Sequence, residues 1–284
     1  MGLMGRTFVL AALLLGVASP AAAAAMGKGI LDGSNHILGR LGPKDADAAK
    51  KEFAEGITTP LLLKLDVDSS PLALMQLGEW LHAQHPILDL KGSCVGSCAI
   101  FVLGSGRAVQ IRPGTLIAFS AMDEWMAKVQ DEVRAGKTAI EDSRSLASRD
   151  RFLERFKPVF DSSEALRAGA DRLGTLPAKA LDFVRRLTSM LEIGKLAFDD
   201  EHANINLNAK PGHCLWWIPD ADGLRQLGLD VPGYRPVSRA EAARQLKEVN
   251  AKMLVGKNIE ALIYIGPIAD ELPPQGLCPV TASP

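Results

Sequence analysis

Aromatic side chains are scarce in this chain of 284 residues, where they make up 5% of the sequence and only two are tyrosines. No charge of one sign dominates, because 32 basic and 33 acidic side chains leave a formal net charge of −1. A net charge so close to zero gives no attraction toward the phosphate backbone of nucleic acids, so no nucleic-acid partner is expected. The apolar share of 47% predicts a globular protein and not a disordered one.

Long apolar runs are absent as well, apart from one at the N-terminus. There Arg6 precedes an apolar run over residues 8–17, and an alanine tract follows at residues 21–25. The run is shorter than the roughly 20 residues that a membrane-spanning helix needs, and small residues behind it are typical of a cleavage site. We therefore expect a signal peptide over residues 1–25, cleaved near Ala25. The mature protein is expected to be periplasmic or secreted, with no stable membrane span after cleavage.

Cysteine is used only four times, always beyond the predicted signal peptide, at Cys94, Cys98, Cys214 and Cys278. An even number of cysteines in an exported chain predicts disulfides, and three pairings can be drawn. We favour Cys94 with Cys98, which are four residues apart across a corner, and Cys214 with Cys278. The spacing of the first pair is one residue too long for a catalytic Cys-x-x-Cys, and no histidine stands beside it to complete a zinc site. No metal and no cofactor are expected.

Apolar strands alternate with helical patterns over the first half of the mature chain. Ser70 is suited to cap a helix, and Pro71 to occupy its first position. This alternation predicts an α/β fold with a parallel sheet. The predicted elements are strands over residues 37–41, 61–67 and 87–90, a helix over residues 43–56, and a second helix that begins at Pro71.

A corner of small residues follows the last of these strands, in the sequence Cys-Val-Gly-Ser-Cys at residues 94–98. Ser97 stands at the start of an apolar helix that ends near Gly104. A short hairpin is expected next, with Pro113 and Gly114 at its turn. The corner differs from the Gly-x-Ser-x-Gly elbow of α/β-hydrolases. Ser97 is either a nucleophile placed at a helix mouth or simply a small residue that a tight corner needs.

This order of elements resembles the proteolytic subunit of Clp proteases, within the wider crotonase-like fold, over roughly residues 35–120. It is most similar to exported Clp-like proteins of bacteria. The resemblance implies a Clp-protease/crotonase-like β-β-α spiral core that carries a helical insertion and a small C-terminal α/β segment. It also implies a serine hydrolase layout, in which Ser97 is the nucleophile and the backbone N–H of Cys98 is an oxyanion donor.

The sequence departs from the family pattern at two positions. In the family, two glycines supply the second oxyanion donor, and in this sequence Ser69 and Ser70 stand at their positions. If the register is shifted by one residue, the donor position falls on Pro71, which has no N–H. The histidine that acts as general base is replaced by Phe119 or Ser120, depending on register. Neither side chain accepts a proton from a serine, and a serine without a base is a poor nucleophile.

A displaced base is the alternative. His213, which precedes Cys214 and a tryptophan pair, is the candidate base that is hardest to explain structurally. Lys91 would be required for a serine–lysine dyad, and no third residue of a triad can be assigned. The other histidines are assigned to solvent or to a helix end; they are His36, His82, His85 and His202.

Three segments are expected after the signal peptide. Residues 26–120 form the Clp-like core, residues 121–210 a region that is almost wholly helical as far as residue 198, and residues 211–284 a strand-helix-strand segment with a tail.

The favoured function is a catalytically degenerate module that binds a peptide or a protein partner in the bacterial envelope. The alternatives are an active serine peptidase or esterase and a thiol–disulfide role, so enzymatic activity is left open. A homo-oligomer is also left open, because the crotonase-like fold generally forms rings or trimers.

Overall fold

The computed structural model of the protein describes residues 25–28, 35–66, 68–120, 122–136, 140–142, 149–189, 192–198, 203–208, 215–249 and 259–269. The predicted signal peptide lies outside these residues, apart from Ala25. The fold is mixed α/β with parallel sheets, which confirms the predicted class. The strands are β1 (Ala25–Lys28), β2 (Asn35–Gly39), β3 (Leu61–Leu65), β4 (Ile87–Leu90), β5 (Ser93–Val95), β6 (Ala108–Ile111), β7 (Leu116–Ala118), β8 (Ile140–Asp142), β9 (Glu192–Phe198), β10 (Ala203–Asn208), β11 (Trp216–Pro219) and β12 (Ile263–Gly266). The helices are α1 (Asp45–Glu52), α2 (Pro71–Gln84), α3 (Met122–Arg134), α4 (Arg149–Leu173), α5 (Ala178–Ser189), α6 (Ala221–Gln226) and α7 (Arg239–Val249).

The largest sheet contains five strands in the order β1-β2-β3-β4-β6. Strands β2, β3, β4 and β6 run parallel, and β1 pairs antiparallel with β2 at one edge. Strand β3 shows how the sequence places the sheet in the core. Its leucines at positions 61, 63 and 65 are buried, whereas Lys64 is exposed. Helices α1 and α2 make the crossovers that parallel neighbours require.

A second, two-stranded sheet consists of β5 and β7, which also run parallel. The hairpin predicted around Pro113 and Gly114 was therefore wrong: β6 pairs with β4, and β7 pairs with β5. The reason is the corner at Gly114, which has a positive φ of 79° and turns the chain from one sheet into the other. Gly92, with a φ of 88°, makes the same turn between β4 and β5. The chain therefore passes from the large sheet to the small sheet twice, first from β4 to β5 and then from β6 to β7. In each sheet the later strand lies beside the earlier one.

The start of α2 agrees with the prediction from the sequence, and α7 begins in a similar way. The Ser70 hydroxyl accepts a hydrogen bond from the N–H of Ala73 at 3.4 Å, and Pro71 begins α2. At the start of α7 the Ser238 hydroxyl accepts from the N–H of Glu241 at 3.2 Å. Each cap satisfies a donor that the first turn of a helix leaves free.

Residues 121–198 are less helical than predicted. Strand β8 pairs parallel with β9, and β9 pairs antiparallel with β10. Helix α3 ends at Arg134, and Gly136 two residues later has a φ of 68°, which suits the residue that closes a helix. Gly194 lies inside β9, and a glycine in this position disfavours the helix that the apolar pattern suggested.

The buried apolar residues form two clusters. The first combines the five-stranded sheet with the helical segment after Ser97, the C-terminal half of α4, helix α5 and Trp217. The second joins α3 and the first half of α4 to β11, β12 and α7. Each cluster contains residues from more than one of the three predicted segments.

Candidate functional site

The corner that carries Ser97 lies between β5 and a short buried helical segment. Gly96 has a φ of 58°, and its N–H donates to the carbonyl of Ala118 on β7 at 2.8 Å. Ser97 itself is half-buried with helical backbone angles. A π-helical turn follows at Cys98–Val102 and a 3₁₀ turn at Leu103–Ser105, in place of the regular helix that the sequence predicted.

The disulfide predicted between Cys94 and Cys98 is present, with an S–S distance of 2.07 Å. It closes a ring around Ser97 and joins the end of β5 to the π-helical turn. Both cysteines are buried, at 2% and 4% exposure, so the sulfur atoms are shielded from other thiols. The second predicted pair, Cys214 with Cys278, lies outside the described residues.

The helical segment behind Ser97 packs closely against the loop that joins α4 and α5. A Cβ atom on Gly104 would lie 1.9 Å from the carbonyl oxygen of Thr175, so only glycine allows this approach. The Thr175 hydroxyl donates to the carbonyl of Ile100 at 2.6 Å. The loop between α4 and α5 therefore holds the segment in place.

The two serines expected to supply oxyanion donors use their N–H groups within the fold. The N–H of Ser69 donates to the carbonyl of Asp66 at 3.0 Å, and that of Ser70 donates to the carbonyl of Leu41 at 2.7 Å. The Ser69 hydroxyl accepts from the N–H of Leu41 at 3.0 Å. The oxyanion roles of Ser69, Ser70 and the N–H of Cys98 stay predictions, and the first two would require these hydrogen bonds to break.

Phe119 occupies a core position at the end of β7. Its N–H donates to the carbonyl of Trp217 at 2.8 Å, and the N–H of Trp217 donates back at 2.9 Å. The two rings are stacked with centroids 5.0 Å apart, and Phe183 packs edge-on against Trp217 at 5.1 Å. All three side chains are fully buried. The adjacent Ser120 is 6% exposed, and its hydroxyl has no hydrogen-bond partner among the described residues.

Within the described residues, no side chain forms a hydrogen bond with the Ser97 hydroxyl. None of the candidate bases in this part of the chain therefore contacts Ser97 in this way. His82 and His85 are exposed at the end of α2, where His85 adopts the left-handed conformation that closes the helix. His36 is half-buried on β2, while His202 and His213 lie outside the described residues.

A narrow cleft lies at the carboxyl ends of β3 and β4 and leaves essentially no room for a water molecule. A ligand pocket usually measures roughly 300–1,000 Å³, so this cleft does not form one. Ser97 is not among the residues that line it. Its lining includes Leu63, Leu65, Leu90, Lys91 and the disulfide of Cys94 and Cys98.

Sequence reasoning missed a cluster of charged side chains at the junction of α3, α4 and α5. Glu124 binds Arg167 at 2.9 Å and Arg185 at 2.7 Å, and Arg185 also binds Asp171 at 2.9 Å. Asp123, which precedes Glu124 in the sequence, is half-buried. Two acidic residues at the start of a helix are typical of any helix N-terminus, so the sequence gives no sign of their partners on two other helices.

No family model matches the sequence of this chain, and no match was found among curated proteins. Within the described residues, the helices are too short or too polar to cross a membrane. In the same part of the chain, histidine, cysteine and acidic side chains do not gather in threes to form a metal site.

Proposed function

We propose that this chain is an exported protein of the bacterial envelope with a Clp-protease/crotonase-like spiral fold, and that it binds an extended peptide or a protein partner without hydrolysing it. The arrangement of β4 to β7 supports the fold. In each of two successive units the first strand enters the large sheet, the second enters the small sheet, and a helical segment follows. A β-β-α spiral is built from units of this kind.

Loss of catalysis is supported above all by the surroundings of Phe119. The family position for the base is occupied by a ring that stacks on Trp217 and belongs to the buried core. A general base must be within hydrogen-bond reach of the hydroxyl it activates. Phe119 has no group that accepts a proton, and the hydroxyl of its neighbour Ser120 is not basic.

Two further observations agree with a degenerate site. The N–H groups of Ser69 and Ser70 are engaged by carbonyl groups of the fold, so they are not free to stabilise an oxyanion. The cleft at the carboxyl ends of β3 and β4 has no room for a ligand, and the buried disulfide forms part of its wall. A peptide would therefore bind on the outer surface of the corner and not in a deep catalytic groove.

Export is proposed from the sequence of residues 1–25, in which an apolar run is followed by an alanine tract. Cleavage near Ala25 would leave most of β1, which pairs with β2 through Met26, Gly27 and Lys28. The mature chain would thus begin in an element of the sheet. N-terminal sequencing of the protein recovered from the periplasm or the medium tests this proposal, because an uncleaved N-terminus would contradict it.

One observation favours an active serine peptidase or esterase as the second candidate. Ser97 is half-buried at the start of a buried helical turn, and its hydroxyl is free of hydrogen bonds within the described residues. A nucleophile needs such a placement. His213 would then have to supply the base, at a position outside the described part of the chain.

Labelling of the mature protein with a fluorophosphonate probe separates the two candidates. The degenerate module predicts no labelling of the wild type. Ser97→Ala is compared with Ser162→Ala, a control substitution on α4. Labelling that disappears only in Ser97→Ala would overturn the proposal and support the peptidase. Without labelling, an array of extended peptides should reveal binding that Ser97→Ala leaves unchanged; absence of any peptide or protein partner would count against the binding function.

A further inference from the structure

The large sheet carries helices on one face only, within the described part of the chain. Strands β2, β3, β4 and β6 run parallel and follow one another across the sheet in their order along the chain. Crossovers between parallel strands are almost always right-handed, so the connections of strands in such an order all lie on the same face. The first apolar cluster agrees, since it joins α1, α2 and the helical segment behind Ser97 to one set of sheet side chains. Parallel sheets are normally covered on both faces.

The opposite face of the sheet, which we call the open face, carries the side chains that alternate with the buried ones along each strand. Three of them are apolar and half-buried, and they stand on three neighbouring strands: Leu38 on β2, Leu62 on β3 and Ile87 on β4. None of the three packs against either apolar cluster of the described residues. An apolar area bordered by polar side chains is typical of a surface that binds another protein.

Two lysines border the open face at the carboxyl ends of β3 and β4. Lys64 pairs with Leu38 in the register of β3 with β2, and Lys91 follows β4, where its N–H donates to the carbonyl of Leu63 at 3.0 Å. A Cβ atom on Gly92 would lie 3.7 Å from the Cγ of Lys64, so the stem of Lys64 runs past the residue that follows Lys91. Both lysines are exposed, and neither forms an ion pair with a described residue.

Most other charged side chains at this end of the sheet are paired with one another. The Nε of Arg112 donates to both carboxylate oxygens of Asp89, at 2.9 and 3.1 Å, and Arg40 lies 3.3 Å from Asp68. Asp66, directly after β3, balances at most one of the two lysines. Like charges on neighbouring strands repel each other, so the lysines favour a partner that brings carboxylates to them.

We propose that the open face binds an amphipathic helix of a partner protein, in which acidic side chains flank the apolar stripe. Such a helix supplies the cover that the second face of a parallel sheet normally has. Its apolar side chains pack on Leu38, Leu62 and Ile87, and its carboxylates pair with Lys64 and Lys91. The inference goes beyond the function proposed above, because it concerns the large sheet and not the corner.

Fluorescence anisotropy of labelled synthetic helices, mixed with the full mature chain, tests this docking. The probes are amphipathic peptides of leucine, alanine and glutamate, about 18 residues or five helical turns long, with the glutamates at different positions beside the leucine stripe. A matched set carries lysine in place of glutamate. We expect acidic peptides to bind, added salt to weaken their binding, and the lysine peptides not to bind.

Charge reversal on the open face locates the binding. Lys64→Glu and Lys91→Glu should each weaken the binding of the acidic peptides about tenfold. Lys51→Glu is the matched control, because it makes the same charge change at an exposed position of α1, on the other side of the sheet. It should bind these peptides as the wild type does.

Leu62→Asp tests the apolar part of the surface and should abolish binding, and Ile87→Ala is a milder variant in case Leu62→Asp does not fold. The proposal is overturned if no acidic peptide binds, if the lysine peptides bind equally well, or if Lys64→Glu and Lys91→Glu both bind like the wild type. Sedimentation of the mature chain alone examines the other occupant. A dimer that dissociates in Leu62→Asp would show that a second copy covers the open face, which also overturns the proposal.

Discussion

Gly78 of α2 faces the main chain of Phe101 so closely that a Cβ atom at Gly78 would lie 2.3 Å from the Phe101 carbonyl oxygen. This approach lets α2 pack directly on the helical segment behind Ser97. Gly78→Ala must push the two elements apart, and we expect it to lower the free energy of unfolding by about 1–3 kcal/mol. Urea denaturation measures the change.

Gln76→Ala is the control for this substitution, since Gln76 lies on the exposed side of the same helix. It should change stability by no more than about 0.5 kcal/mol. If Gly78→Ala is as stable as Gln76→Ala, the close approach of α2 to Phe101 is not a feature of the protein in solution.

Phe119 should contribute strongly to stability, because its ring is fully buried between Trp217 and the rest of the first apolar cluster. Phe119→Ala removes this ring and leaves a cavity, at an expected cost of about 3–5 kcal/mol. Phe119→Leu keeps part of the volume and should cost clearly less. Thermal unfolding followed by tryptophan fluorescence compares the two variants. A loss below about 1 kcal/mol in Phe119→Ala would mean that Phe119 faces an open site and not the core.

Removal of the disulfide at the corner should destabilise the protein moderately. The Cys94→Ala/Cys98→Ala double variant gives up a short closed loop, for which loop-closure entropy predicts a loss of about 2 kcal/mol. Denaturation without reductant measures this loss. To exclude effects of the other two cysteines, the same pair of variants is compared in a Cys214→Ala/Cys278→Ala background. No loss in either background would show that the disulfide does not constrain the corner.

Ser69 and Ser70 should differ in what their hydroxyls contribute. Ser69→Ala leaves the buried N–H of Leu41 without its acceptor, which costs about 1–3 kcal/mol. Ser70→Ala removes only the cap of α2, at about 1 kcal/mol. Equilibrium unfolding of the two variants side by side tests this order, and a larger loss in Ser70→Ala would contradict it.

The alternation of apolar strands with helices was enough to predict the parallel sheet and several element starts. Strand β4 lies where predicted, and Ser70 and Pro71 begin α2 through contacts within three residues. Local signals of this kind survive in the fold because the atoms that carry them are close in the sequence.

Other features depend on contacts that a single sequence does not display. Pro113 and Gly114 predict a turn whether or not the strands on either side of it pair with each other. Only contacts with other parts of the chain decide that β7 pairs with β5 and not with β6. In the same way, the sequence predicted that Phe119 or Ser120 replaces a catalytic base, but it did not indicate that Phe119 packs on Trp217. The partners of Glu124 lie on helices that begin 25 or more residues later, and no periodicity connects them.

The contact between Phe119 and Trp217 joins two residues that are synthesised at different times. Phe119 leaves the ribosome long before Trp217, so its ring and the open edge of β7 have no cover during that interval. The core of the N-terminal half therefore lacks one of its packing partners until Trp217 is made. Exposed apolar surface of this kind promotes aggregation of nascent chains, so synthesis passes through an interval in which Phe119 is vulnerable.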